Sequence, residues 1–281
     1  MRCPRAPRGF DLGLAALVLL IGLALASAGD WQPRVRMGGS AVSQRMLLNT
    51  FFAYQFHDPA PNLTFTNKSD DKTVINLSRH CTSDCSELTA PMLHMGIEER
   101  TLADFSLPPA SIANLELFPL VGVAVTPVYN LAGAGQASNS QALALTPLVV
   151  ARIFAGTIQY WDDAQIAASN PGWTSPGHHP ITVVVRSDVA GEAHILRKAL
   201  QGVPGGPGGF TNAWPNTTTT RVAVEGSQGM VSKVLATRYT MGFTTLGRAV
   251  EEGLPMAAIK QGDNTVLTPT QEAVSKAVAR D

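Results

Sequence analysis

The stretch that decides the fold covers residues 148–200 and reads LVVARIFAGTIQYWDDAQIAASNPGWTSPGHHPITVVVRSDVAGEAHILRKAL. Its first apolar residues recur at helical spacing, and Gly156 marks the end of that helix. A second short helix is expected near residues 161–170, where an Asn-Pro-Gly turn closes it. The β-branched run 181–185 predicts a buried strand, and a helical pattern over 193–200 follows it. This alternation indicates an α/β protein.

The segment between that strand and helix, RSDVAGE at residues 186–192, joins a strand end to a helix N-terminus. Helix N-termini carry about half a positive charge and N–H groups without an intrahelical partner. Because an arginine stands at its entrance, this junction favours an anion site. Junctions at Gly39-Ser40 and at 226–229 have the same design. Alternatively, the Ser, Asp and Gly residues of each junction only cap the helix that follows.

Several short motifs occur in an order and spacing that resemble one protein family. They are FPLVGVAV (118–125), IFAGTI (153–158), WDD (161–163), NPG (170–172), RSD (186–188), MGF (241–243) and TPTQE (268–272). Together they resemble the phosphate-binding proteins that feed phosphate ABC transporters, the PstS-like branch of the periplasmic binding protein superfamily. The likeness extends over residues 117–279 and is faint before them.

The resemblance implies a two-lobed α/β fold of the periplasmic-binding-protein type II, in which mixed sheets are flanked by helices and a hinge joins the lobes. We expect a first lobe of residues 29–122 plus 246–281 and a second lobe of residues 123–245, after a signal peptide at 1–28 whose pattern is described below.

Hydrophobic periodicity alone predicts the elements of the first lobe. A strand is expected at 34–37, a helix near 42–56 and another strand at 63–65. The apolar residues of the helix that we expect to be buried together are Val42, Met46, Leu47, Phe51 and Tyr54.

The same resemblance implies a set of ligand-binding residues. Arg186 matches the family's phosphate-pairing arginine, Asp188 matches the aspartate that braces it, and Gly191 matches a backbone donor. Ala190 and Glu192 stand where the family has hydroxyl donors, so this chain departs from the pattern at those two positions. A carboxylate at 192 suits the helix dipole but repels a neighbouring anion, and we expect it to pair with Arg186.

The first lobe contributes the remaining positions of this set. Ser40 and Ala41 fall on the family's glycine-rich opening loop, and Asp70 falls on its second glycine-serine loop. Thr89 takes the position at which the family has the acceptor of a phosphate proton. The resemblance therefore implies a site shared by both lobes.

The N-terminal residues have the pattern of a secretory signal peptide. Arginines at positions 2, 5 and 8 precede an apolar run at 12–25, and Ala26-Ser27-Ala28 supplies small residues for cleavage. The alternative is an uncleaved membrane anchor, because the run is near the lower length limit for a membrane span. We expect cleavage, since the small residues directly follow the run.

The composition of the expected mature chain is that of a secreted globular protein. Residues 1–28 contain three of the 21 basic and one of the 21 acidic residues, which leaves 18 and 20 and a net charge of about −2. This balance, without basic runs, argues against a nucleic-acid partner. Apolar residues make up 45% of the chain, enough for a substantial core.

Two cysteines, Cys81 and Cys85, remain after the signal peptide is removed. Their spacing brings them within disulfide reach in a tight loop or one helical turn, and secretion exposes them to an oxidising environment. The alternative is a zinc site with His80 and His94, but these spacings match no established zinc motif. We therefore expect a disulfide and no metal.

Four glycosylation sequons begin at Asn62, Asn67, Asn76 and Asn216. The first three lie within fifteen residues of one another, which favours a eukaryotic glycoprotein over a bacterial periplasmic one. The identity of a membrane transporter or receptor partner therefore stays open.

Taken with the resemblance, these features predict a secreted, monomeric solute-binding protein without a cofactor. Its ligand is an oxyanion, most simply inorganic phosphate, held in the cleft between the lobes. The runner-up is an extracellular interaction or receptor module that has lost the ligand. A hydrolase using Ser187, Asp188 and His194 comes third, because no nucleophile elbow or known triad order frames these residues. We expect no catalytic residues.

Non-reduced peptide mapping of the secreted protein tests the predicted Cys81–Cys85 disulfide directly. Because so short a loop removes little entropy from the unfolded chain, Cys85→Ser should cost on the order of 2 kcal/mol or less in stability. Two free thiols, or zinc bound in equimolar amount, would contradict the assignment.

Overall fold

The computed structural model describes residues 34–67, 70–80, 93, 95–98, 100, 102–105, 108–113, 115–131, 143–211, 213–215 and 220–279. Several sequence-based predictions lie outside these ranges: the signal peptide at 1–28, the disulfide between Cys81 and Cys85, the ligand role of Thr89 and the sequon at Asn216. Within the described ranges, no helix combines the length and the apolar content that crossing a membrane requires.

The elements of the described residues alternate between strands and helices. In chain order they are β1 (Arg34–Gly39), α1 (Ala41–His57), β2 (Asn62–Asn67), α2 (Asp70–His80), β3 (Met95–Ile97), α3 (Pro109–Ile112), β4 (Val125–Asn130), β5 (Ala144–Leu145), α4 (Pro147–Ala155), α5 (Ala164–Ser169), β6 (Thr182–Arg186), α6 (Gly191–Gln201), β7 (Arg221–Val224), α7 (Gly226–Ala236), β8 (Thr240–Thr245), α8 (Leu246–Glu251), β9 (Ala258–Lys260), β10 (Val266–Leu267) and α9 (Gln271–Val278).

Among the described residues, these strands form three sheets. The first is parallel and has the order β2-β1-β3, the second has the order β4-β8-β6-β7, and the small third one has the order β10-β9-β5. In the second sheet β4 and β8 are antiparallel, while β6 is parallel to both β7 and β8. The predicted α/β class with mixed sheets and helices is therefore confirmed.

Helix α1 lies where the sequence predicts it, but it buries a narrower face. Leu47 and Phe51 are buried, whereas Met46 is 37% exposed and Tyr54 is 43% exposed. The expectation that Met46 and Tyr54 belong to the buried set is wrong, because the buried side chains described on α1 are Ser43, Leu47 and Phe51, which are four apart and share one face. The side chain of Val42 lies outside the described part of the structure.

Backbone contact at the end of β1 explains the glycine that precedes α1. A Cβ atom on Gly39 would lie 2.2 Å from the carbonyl oxygen of Ile97, on the neighbouring strand. No side chain fits at that distance, so the strand can turn into the helix only with glycine here.

The stretch 148–200 folds as the sequence predicts. Helix α4 ends at Gly156, which has a φ of 76°, and Asp163 caps α5 by accepting a hydrogen bond from the Gln165 N–H at 2.8 Å. The predicted strand at 181–185 is β6, and α6 begins two residues before its expected start. The motif at 118–125 resembles a strand of the family, but here the strand β4 starts only at Val125, and among the described residues no strand pairs with 118–124.

The second sheet and its helices enclose the larger core. Its large, fully buried side chains include Trp161, Phe154, Phe210 and Phe243. The same core contains Ala249, Leu254 and Ala257, which follow β8 in the chain. The predicted lobe boundaries at 122 and 245 stay predictions, and we propose that the second lobe extends past 245 to include these three residues.

A buried asparagine joins β5 to α5. The Asn170 side chain accepts a hydrogen bond from the Ala144 N–H and donates to the Ala144 carbonyl, both at 2.7 Å. It also donates to the carbonyl of Ile166 at 2.8 Å. The side chain thus satisfies both backbone groups of Ala144, as a neighbouring strand would. This pairing requires an amide side chain, which explains why an asparagine stands at the start of the predicted turn.

The structure separates the first three sequons by accessibility. Asn62 and Asn67 are exposed on β2, whereas the Asn76 carboxamide oxygen accepts a hydrogen bond from the Leu93 N–H at 2.9 Å. We therefore expect sugar on Asn62 or Asn67 but not on Asn76 in protein secreted by eukaryotic cells. Glycopeptide mass spectrometry checks this, and a glycan found only on Asn76 would contradict it.

Candidate functional site

The site is built at the carboxyl ends of two parallel strands. Arg186, the last residue of β6, lies in register with Val224, the last residue of β7. Both strands lead through short loops into helices, so the N-termini of α6 and α7 lie at the same edge of the sheet. Ligands of open α/β sheets bind beyond the carboxyl ends of the strands, and this geometry is therefore suited to a ligand.

Arg186 is held by a two-point contact with Asp188. Its Nε and Nη2 atoms donate to the two carboxylate oxygens at 2.8 and 2.5 Å, and its side chain is only 7% exposed. Asp188 also accepts from the N–H of Gly226, the first residue of α7, at 3.1 Å. The prediction that Asp188 braces Arg186 agrees with this geometry, which also ties the loop after β6 to helix α7.

These hydrogen bonds keep Asp188 ionised. Burial by itself would raise the pKa of Asp188, but hydrogen bonds from Arg186 and from the Gly226 N–H outweigh it. Together with the charge of the arginine, they hold the pKa of this carboxyl below its ordinary value.

Glu192 and Ser227 complete the network on its inner side. Arg186 Nη1 donates to Ser227 Oγ at 3.0 Å, and the hydroxyl of Ser227 donates to Glu192 Oε1 at 2.9 Å. Glu192 Oε2 lies 3.5 Å from Arg186 Nη1, and the side chain of Glu192 is 3% exposed. The structure thus pairs Glu192 with Arg186, as expected. The guanidinium of Arg186 and the hydroxyl of Ser227 both contact the Glu192 carboxylate, and the same two groups could hold an oxyanion.

Ser227 is the contact that the sequence analysis did not select. The only sequence signal for it was its place in the Gly-Ser-Gln-Gly junction before α7, 35 residues from Glu192. Parallel pairing of β6 with β7 brings the two residues together.

Helices α6 and α7 also lack the usual capping side chain. Neither of their N-cap residues, Ala190 and Glu225, makes a side-chain cap hydrogen bond. By contrast, Thr146, Thr245 and Thr270 cap α4, α8 and α9 with their hydroxyl groups. The N-cap residues of the junctions at 186–192 and 226–229 therefore do not cap the helices that follow them with their side chains. The first-turn N–H groups of these helices have no partner within their own helix.

The network lines a cleft with a volume of about 1870 Å³. Ser40, which directly precedes α1, and Ala190 line the same cleft. Gly191 is buried as the first residue of α6. Ala41 and Asp70 are the first residues of α1 and α2, and their side chains are outside the described part of the structure.

Two sets of charged contacts join the N-terminal part of the chain to its second half. The Arg45 guanidinium on α1 pairs with Glu251 on α8. At another point Asp104 lies 3.4 Å from Lys198 and 3.6 Å from His194, both on α6. The two halves of the molecule thus meet through charged side chains.

The residues of the hydrolase alternative have other partners. Asp188 contacts Arg186 and Gly226, whereas His194 contacts Asp104. Burial disfavours the protonated form of His194 and lowers its pKa, although the negative charge of Asp104 acts in the opposite direction. Within the described ranges, no group of three or more His, Cys, Asp or Glu side chains is placed to hold a metal ion.

The second part of the chain matches a known protein family. The sequence profile of the PBP superfamily domain matches residues 114–279, more than half of the chain. The chain belongs to the PBP superfamily. The resemblance inferred from the motifs between residues 117 and 279 is thereby confirmed.

Relatives within the PBP superfamily support the same assignment. The phosphate-binding protein PstS of Methanocaldococcus jannaschii is 35% identical over 170 residues, which make up 58% of this chain and 42% of that protein. This chain therefore spans about half the length of the relatives it matches.

Solved structures show the same fold at low sequence identity. A human phosphate-binding apolipoprotein has a TM-score of 0.59 and 18% identity, with coverage of 87% of this chain and 68% of that one. An ABC-type phosphate transport receptor from Vibrio cholerae has a TM-score of 0.54 and 15% identity, with coverage of 87% and 81%. The two-lobed PBP-like fold class is therefore confirmed.

Removing Asp188 should destabilise the protein strongly. Asp188→Ala leaves a buried guanidinium without its two-point partner, which costs about 3–5 kcal/mol in comparable buried pairs. Glu272→Ala is the matched control, because Glu272 and Lys276 form an exposed pair at 2.7 Å, worth about 1 kcal/mol at most. Urea unfolding measures both, and equal small losses would show that the buried pair is not structural.

Proposed function

We propose that the protein binds a tetrahedral oxyanion, inorganic phosphate first among them, at Arg186 in the cleft. The observation that supports this most directly is a buried guanidinium beside two helix N-termini that lack their own capping side chains. Such N-termini offer N–H donors and a favourable dipole to an anion. The names of the relatives, which are phosphate-binding proteins, support the same ligand.

Closure of the cleft is the second part of the proposal. A volume of about 1870 Å³ exceeds the roughly 300–1,000 Å³ of pockets that enclose a small ligand. An oxyanion at Arg186 would therefore be enclosed only when the cleft closes and Ser40 approaches the anion. The N-terminus of α1 would then bring a third set of N–H donors to it. The resemblance implies that Ala41 and Asp70, the first residues of α1 and α2, also contact the anion.

Glu192 sets the strength of this binding. Two like charges about 4 Å apart at an effective dielectric of about 20 repel each other by roughly 4 kcal/mol. A phosphate beside the buried Glu192 carboxylate should therefore bind two to three orders of magnitude less tightly than without it. We infer that this protein binds phosphate with lower affinity than a related protein that has a hydroxyl side chain at position 192.

The same carboxylate favours a second candidate function. Because Glu192 already occupies the place of an anion next to Arg186 and Ser227, the fold is complete without a ligand. An extracellular interaction module that has lost phosphate binding would have this arrangement. Binding rather than catalysis is proposed in both cases, since the relatives are named as binding proteins.

Secretion belongs to the proposal as well. The pattern at 1–28 and the sequons support an extracellular protein. We propose in addition that it is a monomer, and that its charge balance, without basic runs, gives it no nucleic-acid partner. The transporter or receptor with which it works is not identified by these residues.

Isothermal titration with phosphate tests the oxyanion site. Arg186→Lys keeps the charge but loses the planar fork, and it should weaken affinity by about 1.5–3 kcal/mol, or about ten- to a hundredfold. Arg152→Lys is the control, because Arg152 lies on α4 and contacts Gln165 outside the cleft. Phosphate affinity that is unchanged in Arg186→Lys would place the ligand elsewhere.

A further inference from the structure

We propose that helix α6 and the chain segment that contacts it form a second binding surface, outside the cleft, and that this surface binds a sulfated polysaccharide. Its residues, called the basic surface below, are Arg100, Asp104, His194, Arg197 and Lys198. None of these five residues lines the cleft. Polysaccharide binding is independent of the oxyanion site, and it uses from the proposed function only the secretion of the protein.

Helical spacing places three side chains of the basic surface on one face of α6. His194, Arg197 and Lys198 stand at positions i, i+3 and i+4, which are neighbours on the surface of a helix. Asp104, from the first half of the chain, meets this face with its Oδ1 atom 3.6 Å from His194 Nε2 and 3.4 Å from Lys198 Nζ. The basic surface therefore lies where the two halves of the chain meet.

Aromatic rings hold both guanidinium groups of the basic surface. Arg100 Cζ lies 4.1 Å from the centroid of the Phe105 ring, and Arg197 Cζ lies 5.8 Å from that of the Trp214 ring. A cation over an aromatic face is attracted by the ring and keeps its charge. Phe105 is buried and Trp214 packs against the core of the second sheet, so these rings limit the positions that the two arginines can take.

Positive charge exceeds negative charge at the basic surface when His194 is neutral. Arg100, Arg197 and Lys198 contribute three positive charges, and Asp104 contributes one negative charge. Burial lowers the pKa of His194, the charge of Asp104 opposes this effect, and the charges of the three cations add to it. All three cations thus lie within electrostatic range of one imidazole. Attraction of a polyanion depends on this summed charge and not on whether a guanidinium also has a partner within the folded chain.

The chemistry of these cations suits a polymer that carries sulfate and carboxylate groups. A guanidinium presents a planar fork of N–H donors that can bind two oxygens of one oxyanion at once. A sulfated polysaccharide repeats such oxyanions along its chain, so one polymer can contact both arginines and the lysine together. Polysaccharides of this kind occur outside cells, where the proposed secretion places the protein.

Two other polyanions fit the basic surface less well. Single-stranded nucleic acid binds where aromatic faces are open to stack with its bases, whereas the rings of Phe105 and Trp214 already contact arginines. An acidic peptide that binds through its backbone adds a strand to the edge of a sheet. The basic surface lies instead on a helix, whose backbone groups pair with one another.

The experiment measures binding of the full secreted protein to immobilised heparin, a sulfated polysaccharide, by surface plasmon resonance at neutral pH. Wild-type protein should bind, with an affinity that falls as salt is raised from about 50 to 200 mM, because polyanion binding releases counterions. Arg197→Gln/Lys198→Gln should bind at least about tenfold more weakly at the lowest salt and with a smaller salt dependence. Asp104→Asn removes the negative charge and should bind more tightly than wild type, which misfolding would not produce.

A matched control removes the same number of positive charges from the cleft. Arg45 and Lys72 line the cleft, and Arg45→Gln/Lys72→Gln should keep a heparin affinity within about twofold of wild type, because charges beyond the Debye length are screened. Lys198→Gln alone should also weaken binding. The Lys198 side chain is 67% exposed, so this loss would not come from core packing.

Three outcomes would overturn the polysaccharide site. They are no heparin binding at the lowest salt, equal losses in the two double variants, and tighter binding of polyglutamate or single-stranded DNA than of heparin. The last result would assign the basic surface to an acidic peptide or to a nucleic acid. Phosphate titration of the same protein decides the oxyanion site separately: a protein that binds heparin but not phosphate would overturn the proposed function alone.

Discussion

The buried charge of Arg186 is the constraint on which the centre of the molecule depends. A guanidinium with 7% of its side chain exposed needs acceptors for its donors, and Asp188, Ser227 and Glu192 supply them from three different places in the chain. Satisfying this one charge fixes the loop after β6, the first turn of α6 and the first turn of α7. The groups suited to an anion are therefore also the groups that hold the second sheet to its helices.

This double role explains how a glutamate at position 192, where the resembled family has a hydroxyl donor, can change the anion site while the fold is kept. The Glu192 carboxylate pairs with the guanidinium, so Arg186 has two carboxylate partners within the chain. On the proposed function, these partners satisfy the guanidinium without a bound anion. Ligand binding becomes an exchange of one acceptor for another, and the free energy available to it is correspondingly smaller.

Local chemistry made much of this structure predictable. The end of α4 at Gly156 and the short helix that follows it depend on residues close in sequence, whose types favour those conformations. The contact between Arg186 and Asp188 was implied by the family resemblance. The contact between Ser227 and Glu192 depends on the register of two parallel strands, which no local pattern contains. The face of α1 was likewise missed because periodicity gives a stripe but not its width, and Met46 and Tyr54 lie at its edges.

The hydrogen bonds of Asn170 have a consequence for the chemical ageing of the protein. Deamidation would turn its amide nitrogen into a carboxylate oxygen facing the carbonyls of Ala144 and Ile166, where two acceptors would repel each other. The usual route begins when the backbone nitrogen of the next residue attacks the side-chain amide. Here that residue is Pro171, whose nitrogen carries no hydrogen, so the route is closed. The identity of the residue beside Asn170 thus protects this buried amide from deamidation.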